Sequence, residues 1–220
     1  MANRRHGARP SRAARLGEQH RQHLIAEAAR IMAEEDIKDF QTAKRKAAER
    51  LNLPIGKFLP ANGEIEAALR DYLALFGGAT HQRHVAHLRK IAVEAMNFLS
   101  QFGPRLVGAA LSGTVTPSAA VQLHIAADTP EDVALLLHDR GIPFEQFERR
   151  VRYGGERTNT VPMLRFEVSN RDAVSSNEES TPVELWVFNS RTMRELPLSP
   201  VDGKPERRAD VREVEQLLAL

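Results

Sequence analysis

The residues best suited to chemistry lie within residues 105–128, which read RLVGAALSGTVTPSAAVQLHIAAD. Near the end of this stretch, Gln122 and His124 alternate with apolar residues, a pattern typical of a half-buried β-strand. Residues two apart on a strand project from the same face. An amide and an imidazole would therefore stand side by side. The alternation predicts either a polar cleft lined by Gln122 and His124 or the solvated outer face of a sheet.

A metal site would need more oxygen ligands than this strand supplies. Two carboxylates at positions i and i+2 can hold a pair of divalent ions against a triphosphate, but Ala120 and Gln122 stand at the corresponding positions. A carboxylate follows later, as Glu184 in the predicted strand PVELWVF. His124 could join Asp128 and Glu184 around a metal ion, although alternation alone does not establish three ligands. We therefore predict no metal ligand set.

The order of these features resembles the polymerase-β-type nucleotidyltransferase fold. In that family a first strand ends in Gly-Ser, a second strand carries Asp-x-Asp, and a later strand supplies a third acid. Gly108 matches the glycine and Glu184 the third acid, whereas Ala109, Ala120 and Gln122 stand at the serine and the two aspartate positions. The resemblance implies a degenerate member of this fold, without the carboxylates needed for two-metal nucleotidyl transfer.

The same resemblance points to ligand contacts that would not need the missing carboxylates. Nucleotidyltransferases present backbone donors to phosphate in the turn after the first strand, and such donors do not depend on side-chain identity. The resemblance implies a nucleotide, with or without Mg²⁺, as the ligand. The candidate ligand-binding residues are Gly108, Ser112, Gly113, Thr114, Gln122, His124 and Glu184.

Two further segments, AKRKAAERL at residues 43–51 and LSPVDG at residues 198–203, resemble an uncharacterised bacterial protein family. The second strand of that family typically reads like SDIQLHLF. Glutamine is therefore usual at the position of Gln122, whereas Ala120 is a further departure. This resemblance implies a bacterial protein and carries no activity with it.

Basic residues form two groups outside this region. The first group lies in residues 1–17, which contain no acid, and includes Arg4, Arg5, Arg9 and Arg12. The second lies in a short predicted helix and consists of Lys44, Arg45 and Lys46. Such clusters release counterions from nucleic acid, so either group could contact a phosphate backbone. A disordered, solvated tail and a solvated helix face are the alternatives. The tail also lacks aromatic residues for base stacking.

The composition limits the class of protein. With 42% hydrophobic and 27% charged residues, the chain is typical of globular proteins, and no stretch reaches the roughly 20 apolar residues of a membrane-spanning helix. Cysteine is absent, which excludes disulfides and thiolate metal sites. The arginines at the start have no apolar core behind them, so we expect no secretory signal and a cytoplasmic protein. An Arg-rich mitochondrial presequence would look similar.

Apolar spacing predicts three helices before residue 79. The first covers residues 18–35, the second is short with Thr42 as its N-cap, and the third follows Asn62 until Gly77 and Gly78 end it. We expect a basic disordered tail at residues 1–17 and a small helical bundle at residues 18–78.

Residues 79–220 change from helical to strand periodicity after a helix at 81–102. We expect strands at 106–111 and 121–125, a hairpin of 144–153 and 161–168, a loop from 169 to 180, and a strand at 183–188. Thr129 with Pro130, and Asp210 with Glu213, are N-terminal capping patterns for two further helices. The predicted fold class is α+β: an N-terminal helical bundle followed by a nucleotidyltransferase-like mixed β-sheet flanked by helices.

These features favour a binding or regulatory protein whose partner is a nucleotide, a nucleic acid or another protein. A nucleotidyltransferase with an atypical metal site built around Glu184 is the enzymatic alternative. A basic nucleic-acid-binding protein, acting through its arginine tail and its basic helix, is the third.

Overall fold

The computed structural model describes residues 12–54, 59–169 and 180–219. It confirms the α+β class, because helices precede a mixed five-stranded sheet. The chain forms two compact units, one ending at Tyr72 and the other beginning at Leu73. Among the described residues, no helix is long and apolar enough to cross a membrane.

The N-terminal unit contains three helices: α1 (Arg12–Glu34), α2 (Phe40–Arg50) and α3 (Asn62–Tyr72). An apolar stripe on α1 that includes Leu24, Ala28 and Ile31 is buried, because helical residues three and four apart share one face. Helix α1 begins at Arg12, so residues 12–17 are helical. The sequence had predicted that these residues belong to a disordered tail. Arg4, Arg5 and Arg9 lie outside the described residues.

Two predicted helix ends were wrong. Helix α2 is capped by Asp39, whose carboxylate accepts a hydrogen bond from the Thr42 backbone N–H at 2.7 Å; the extended backbone of Asp39 suits an N-cap, and Thr42 is already inside the helix. Gly77 and Gly78 do not end the third helical segment. A π-helical stretch, Leu73–Gly77, leads directly into α4 (Gly78–Phe98). The two glycines therefore lie at the junction between a π-helix and an α-helix.

The C-terminal unit is built on a sheet with strand order β1-β2-β5-β4-β3. Strands β2 and β5 are parallel, and the other adjacent pairs are antiparallel. The strands are β1 (Arg105–Val107), β2 (Val121–Ala126), β3 (Glu145–Arg152), β4 (Thr158–Ser169) and β5 (Ser180–Phe188). The further α-helices of the described residues are α5 (Gly108–Ser112), α6 (Pro130–Asp139) and α7 (Val211–Leu218), and short 3-10 helices lie at Ser100–Phe102, Gly154–Glu156 and Thr192–Arg194.

The two faces of the sheet differ in character. Leu123 and Leu185, on β2 and β5, belong to the main core, which also includes apolar residues of α4, α6 and α7. Because side chains alternate along a strand, Gln122, His124 and Glu184 project from the other face. The polar side chains singled out in the sequence therefore share one face of the sheet.

The first strand is shorter than predicted. It ends at Val107, and residues 108–112, which include Ala109, form helix α5. The reason is the backbone of Gly108, whose φ of +70° is left-handed and incompatible with a continuing strand. The predicted β-hairpin is confirmed as the antiparallel pair β3 and β4. Most of the predicted loop, residues 170–179, lies outside the described residues.

Candidate functional site

The structure brings Gly108, Gln122 and Glu184 together. Gln122 and Glu184 are register partners on the parallel strands β2 and β5. The Gln122 Nε2 donates a hydrogen bond to Glu184 Oε2 at 3.0 Å. The amide oxygen of Gln122 lies over Gly108, where a Cβ would collide with it. These three residues form the Gln122–Glu184 site.

Arg165 extends this site across the sheet. Arg165 lies on β4, where it pairs in register with Glu184 on β5 and with Glu145 on β3. Its guanidinium donates to Glu167 Oε1 at 3.1 Å, and its side chain remains 40% exposed. The sequence prediction did not include Arg165, although its alternation with the buried Leu164 and Phe166 carries the same period-two signal as β2.

The chemistry available at the Gln122–Glu184 site is hydrogen bonding. One carboxylate is bound to a neutral amide and lies opposite a guanidinium in the strand register. Ala120, immediately before β2, has no polar side chain to add. Within the described residues, no group of three or more His, Asp or Glu side chains could hold a metal ion. The arrangement suits recognition of polar groups better than coordination of hard cations, which require several oxygen ligands.

Ser112, Gly113 and Thr114 lie at the C-terminal end of α5, where Gly113 is the left-handed C-cap. The Gly113 N–H donates to Ala109 O at 2.8 Å, and the Gly113 carbonyl accepts from His81 Nε2 at 3.0 Å. The hydroxyls of Ser112 and Thr114 bond each other at 2.7 Å. A helix C-terminus exposes carbonyls and carries partial negative charge. This polarity does not favour the phosphate contact that the resemblance implied for the turn.

His124 is buried, with 1% of its surface exposed, although the strand alternation predicted either a cleft residue beside Gln122 or a solvated outer face. Its Nδ1 accepts a hydrogen bond from Arg208 Nε at 2.9 Å, and its ring packs against Trp186 and Phe188. Burial, reinforced by the Arg208 charge, lowers the pKa of His124 to about 3. His124 is therefore a neutral acceptor at physiological pH.

Arg208 reaches His124 because the chain preceding α7 runs along β1. Backbone hydrogen bonds join Leu106 and Ala209 in both directions, and the neighbouring Arg105 is the register partner of His124. The Arg208 Nη1 donates to the Met193 carbonyl at 2.7 Å. Nothing in the sequence around Arg208 indicated this position, because the contact with His124 spans 84 residues.

A cavity of about 360 Å³ lies at the end of the sheet where β2 and β5 finish. The carboxyl ends of adjacent parallel strands are a common place for ligands. Polar and aromatic residues line much of its wall: Asp128, Tyr153, Asn159, Thr160, Phe188, Asn189 and Thr192. Asp128 therefore belongs to this cavity, whereas the Glu184 carboxylate bonds Gln122, and His124 lies next to Arg208.

The basic residues of α2 do not form a uniform basic surface. Lys44 is buried with 6% exposure, and burial lowers its pKa. Lys46 forms an ion pair with Glu35 at 2.7 Å. Of the basic candidates in the described residues, Arg45 and, on α1, Arg12 are exposed, and the Lys46 side chain is 42% exposed but paired with Glu35. Lys44 alone among them is buried.

Comparison of the chain with protein-family models, with curated proteins and with solved structures gave no match.

Proposed function

We propose that this chain is a cytoplasmic nucleotide-binding protein with a catalytically degenerate nucleotidyltransferase-like domain, and that it recognises its ligand at the Gln122–Glu184 site. The observation that carries the proposal is the 3.0 Å hydrogen bond between Gln122 and Glu184, formed directly over Gly108. This hydrogen bond brings together three positions of the nucleotidyltransferase resemblance: the glycine (Gly108), one of the two aspartate positions (Gln122) and the third acid (Glu184).

Binding is favoured over catalysis by the charge of the site. Two-metal transfer requires carboxylates that bridge both cations, and here the partner of Glu184 is an uncharged amide that donates to it. The exposed part of Arg165 supplies a positive group one strand away. A carboxylate, an amide and a guanidinium offer complementary donors and acceptors to the hydroxyls, ring nitrogens and phosphate of a nucleotide.

The test is a thermal-shift panel of nucleoside mono-, di- and triphosphates, each measured with Mg²⁺ and with EDTA. A ligand that binds the folded state raises the Tm. We expect at least one nucleotide to raise the Tm of the wild-type protein to a similar extent in both conditions. Glu184→Gln should reduce this shift, and the matched control Glu148→Gln, on an exposed position of β3, should keep it.

Two results would overturn the proposal. One is the lack of any nucleotide-induced shift in the wild-type protein. The other is Mg²⁺-dependent transfer of a labelled nucleotide that disappears in Glu184→Gln, which would identify an active nucleotidyltransferase with an atypical metal site.

A further inference from the structure

Three buried polar atoms lie in one small aromatic region of the sheet without a hydrogen-bond partner among the described residues. They are the Tyr153 hydroxyl, the Trp186 Nε1 and the Arg208 Nη2. An indole N–H and a guanidinium N–H can only donate, and a phenol can donate as well. Buried polar groups are nearly always hydrogen-bonded in folded proteins. Three donors without a protein acceptor in one region can therefore take acceptors from a bound molecule.

The charge of Arg208 points to an anion. Its two bonded nitrogens donate to neutral acceptors, the His124 ring and the Met193 carbonyl. Among the described residues, no carboxylate oxygen lies within 4.0 Å of its guanidinium nitrogens. Burial raises the pKa of the nearby Glu206 carboxyl, and the charge of Arg208 opposes that shift. A partly buried guanidinium with one unused nitrogen is a strong site for an oxyanion.

Tyr153 and Arg208 meet at the same aromatic cluster. The Arg208 guanidinium lies 5.4 Å from the centroid of the Phe188 ring. Phe188 and Tyr153 are buried together, with Trp186 and Met193 packed against them. Tyr153 is 2% exposed. Burial and the charge of Glu195 raise its pKa, and the charges of Arg208 and Arg157 oppose that shift.

The cavity at the ends of β2 and β5 gives a ligand room next to these donors. Tyr153 forms part of its wall, and so does Phe188, over whose ring the Arg208 guanidinium lies. Its volume of about 360 Å³ is within the range of small-molecule sites. Asn159 and Asn189 supply further donors, and Asp128 supplies an acceptor for a hydroxyl or amino group.

We propose that Tyr153 and Arg208 bind the oxyanion group, a phosphate or a carboxylate, of a small organic ligand whose remaining part occupies this cavity. The site uses none of the three residues of the Gln122–Glu184 site and does not depend on the function proposed for it.

Trp186 provides a local reporter, because it is the single tryptophan of the chain and packs against His124. The full-length protein is titrated with inorganic phosphate, with acetate and with AMP, and sodium chloride at equal ionic strength corrects for salt. Trp186 fluorescence and the single indole N–H resonance are recorded. We expect a saturable change with phosphate or acetate, and the stronger of the two identifies the preferred oxyanion. AMP tests whether the phosphate of a nucleotide enters the same cavity.

Tyr153→Phe removes only the hydroxyl, and the matched control Tyr72→Phe makes the same change at the other tyrosine of the chain. We expect Tyr153→Phe to weaken oxyanion binding by about three- to tenfold, as for the loss of one hydrogen bond, and Tyr72→Phe to leave it unchanged. Without ligand, Tyr153→Phe should keep or raise the Tm, because an unpaired buried hydroxyl is removed.

The inference is overturned if none of the three compounds changes the Trp186 signals beyond the chloride control, or if Tyr153→Phe binds them with wild-type affinity. If Tyr153→Phe does not fold, hydrogen exchange of the Trp186 indole N–H is measured in the wild-type protein instead. The inference requires that oxyanion binding slow this exchange. Glu184→Gln should leave the oxyanion response intact. Its loss in that variant would place the anion at the Gln122–Glu184 site and contradict the present inference.

Discussion

Gln122 and Glu184 lie directly opposite each other on the parallel strands β2 and β5, and the amide of one donates to the carboxylate of the other at 3.0 Å. The Gln122 amide gives the Glu184 carboxylate a hydrogen-bond donor without adding charge to the site. A second carboxylate at residue 122 would instead face Glu184 as a like charge and would require a cation between them. The identity of residue 122 therefore controls whether this position can hold a metal ion.

We predict that the double substitution Ala120→Asp with Gln122→Asp creates a Mg²⁺ site. It restores the Asp-x-Asp spacing beside Glu184. At a Mg²⁺ concentration one hundred times its Kd, binding would add about 2.7 kcal/mol to the free energy of unfolding. The Tm of the variant should therefore rise with Mg²⁺. The uncharged pair Ala120→Asn with Gln122→Asn is the control, and an equal response there would refute the prediction.

Gly108→Ala should destabilise the protein and disrupt the Gln122–Glu184 site. The new Cβ would collide with the Gln122 amide oxygen, and φ at this residue is +70°. We expect a loss of about 1–3 kcal/mol in the free energy of unfolding, measured by urea denaturation. Gly154→Ala is the control, because a Cβ there meets no atom within 4 Å. Equal stabilities of the two variants would argue against the close approach at Gly108.

Buried His124 should make stability fall in acid. Its pKa is about 3 in the folded protein, against an ordinary value of 6.5 for histidine, so between these two pH values the unfolded state binds more protons. The free energy of unfolding should decrease as pH falls from about 6.5 towards 3, by up to about 1.4 kcal/mol per pH unit.

Three charged residues lie next to His124 in the described part of the chain: its register partner Arg105, Arg208 and Glu206. Arg105, like Arg208, stays charged over this pH range. Glu206 has a raised pKa and acts in the opposite direction, because its stabilising contribution is lost as pH rises above about 4.5. Denaturation curves at several pH values should show that His124→Gln removes part of the acid-dependent loss, whereas the exposed control His138→Gln retains it. Identical pH profiles for both variants would contradict the buried, neutral His124.

Lys44→Met should raise or maintain stability and leave nucleic-acid affinity unchanged. Lys44 is buried, and burial lowers its pKa, so its charge is costly in the folded state at neutral pH. We expect a gain on the order of 1 kcal/mol in the free energy of unfolding. The exposed control Arg45→Met should change stability by less than about 0.5 kcal/mol. If Lys44→Met weakened binding to labelled RNA in an anisotropy assay, Lys44 would have to be accessible to the phosphate backbone.

The sequence by itself determined the features that depend on neighbouring residues. The alternation in residues 121–125 indicated β2, and the pattern of Thr129 with Pro130 marked the start of α6. Asp210 and Glu213 form the predicted capping box of α7. These contacts act within a few residues, so composition and spacing are enough to reveal them.

Only the tertiary structure decided which side chains meet. Gln122 and Glu184 are 62 residues apart, and Arg208 is 84 residues from His124. Strand alternation gave Gln122 and His124 the same face, but it could not distinguish the partly exposed amide from the buried imidazole. That difference arises where the chain before α7 pairs with β1 and brings Arg208 next to His124. Burial and hydrogen bonding between distant segments depend on packing, which a local pattern does not contain.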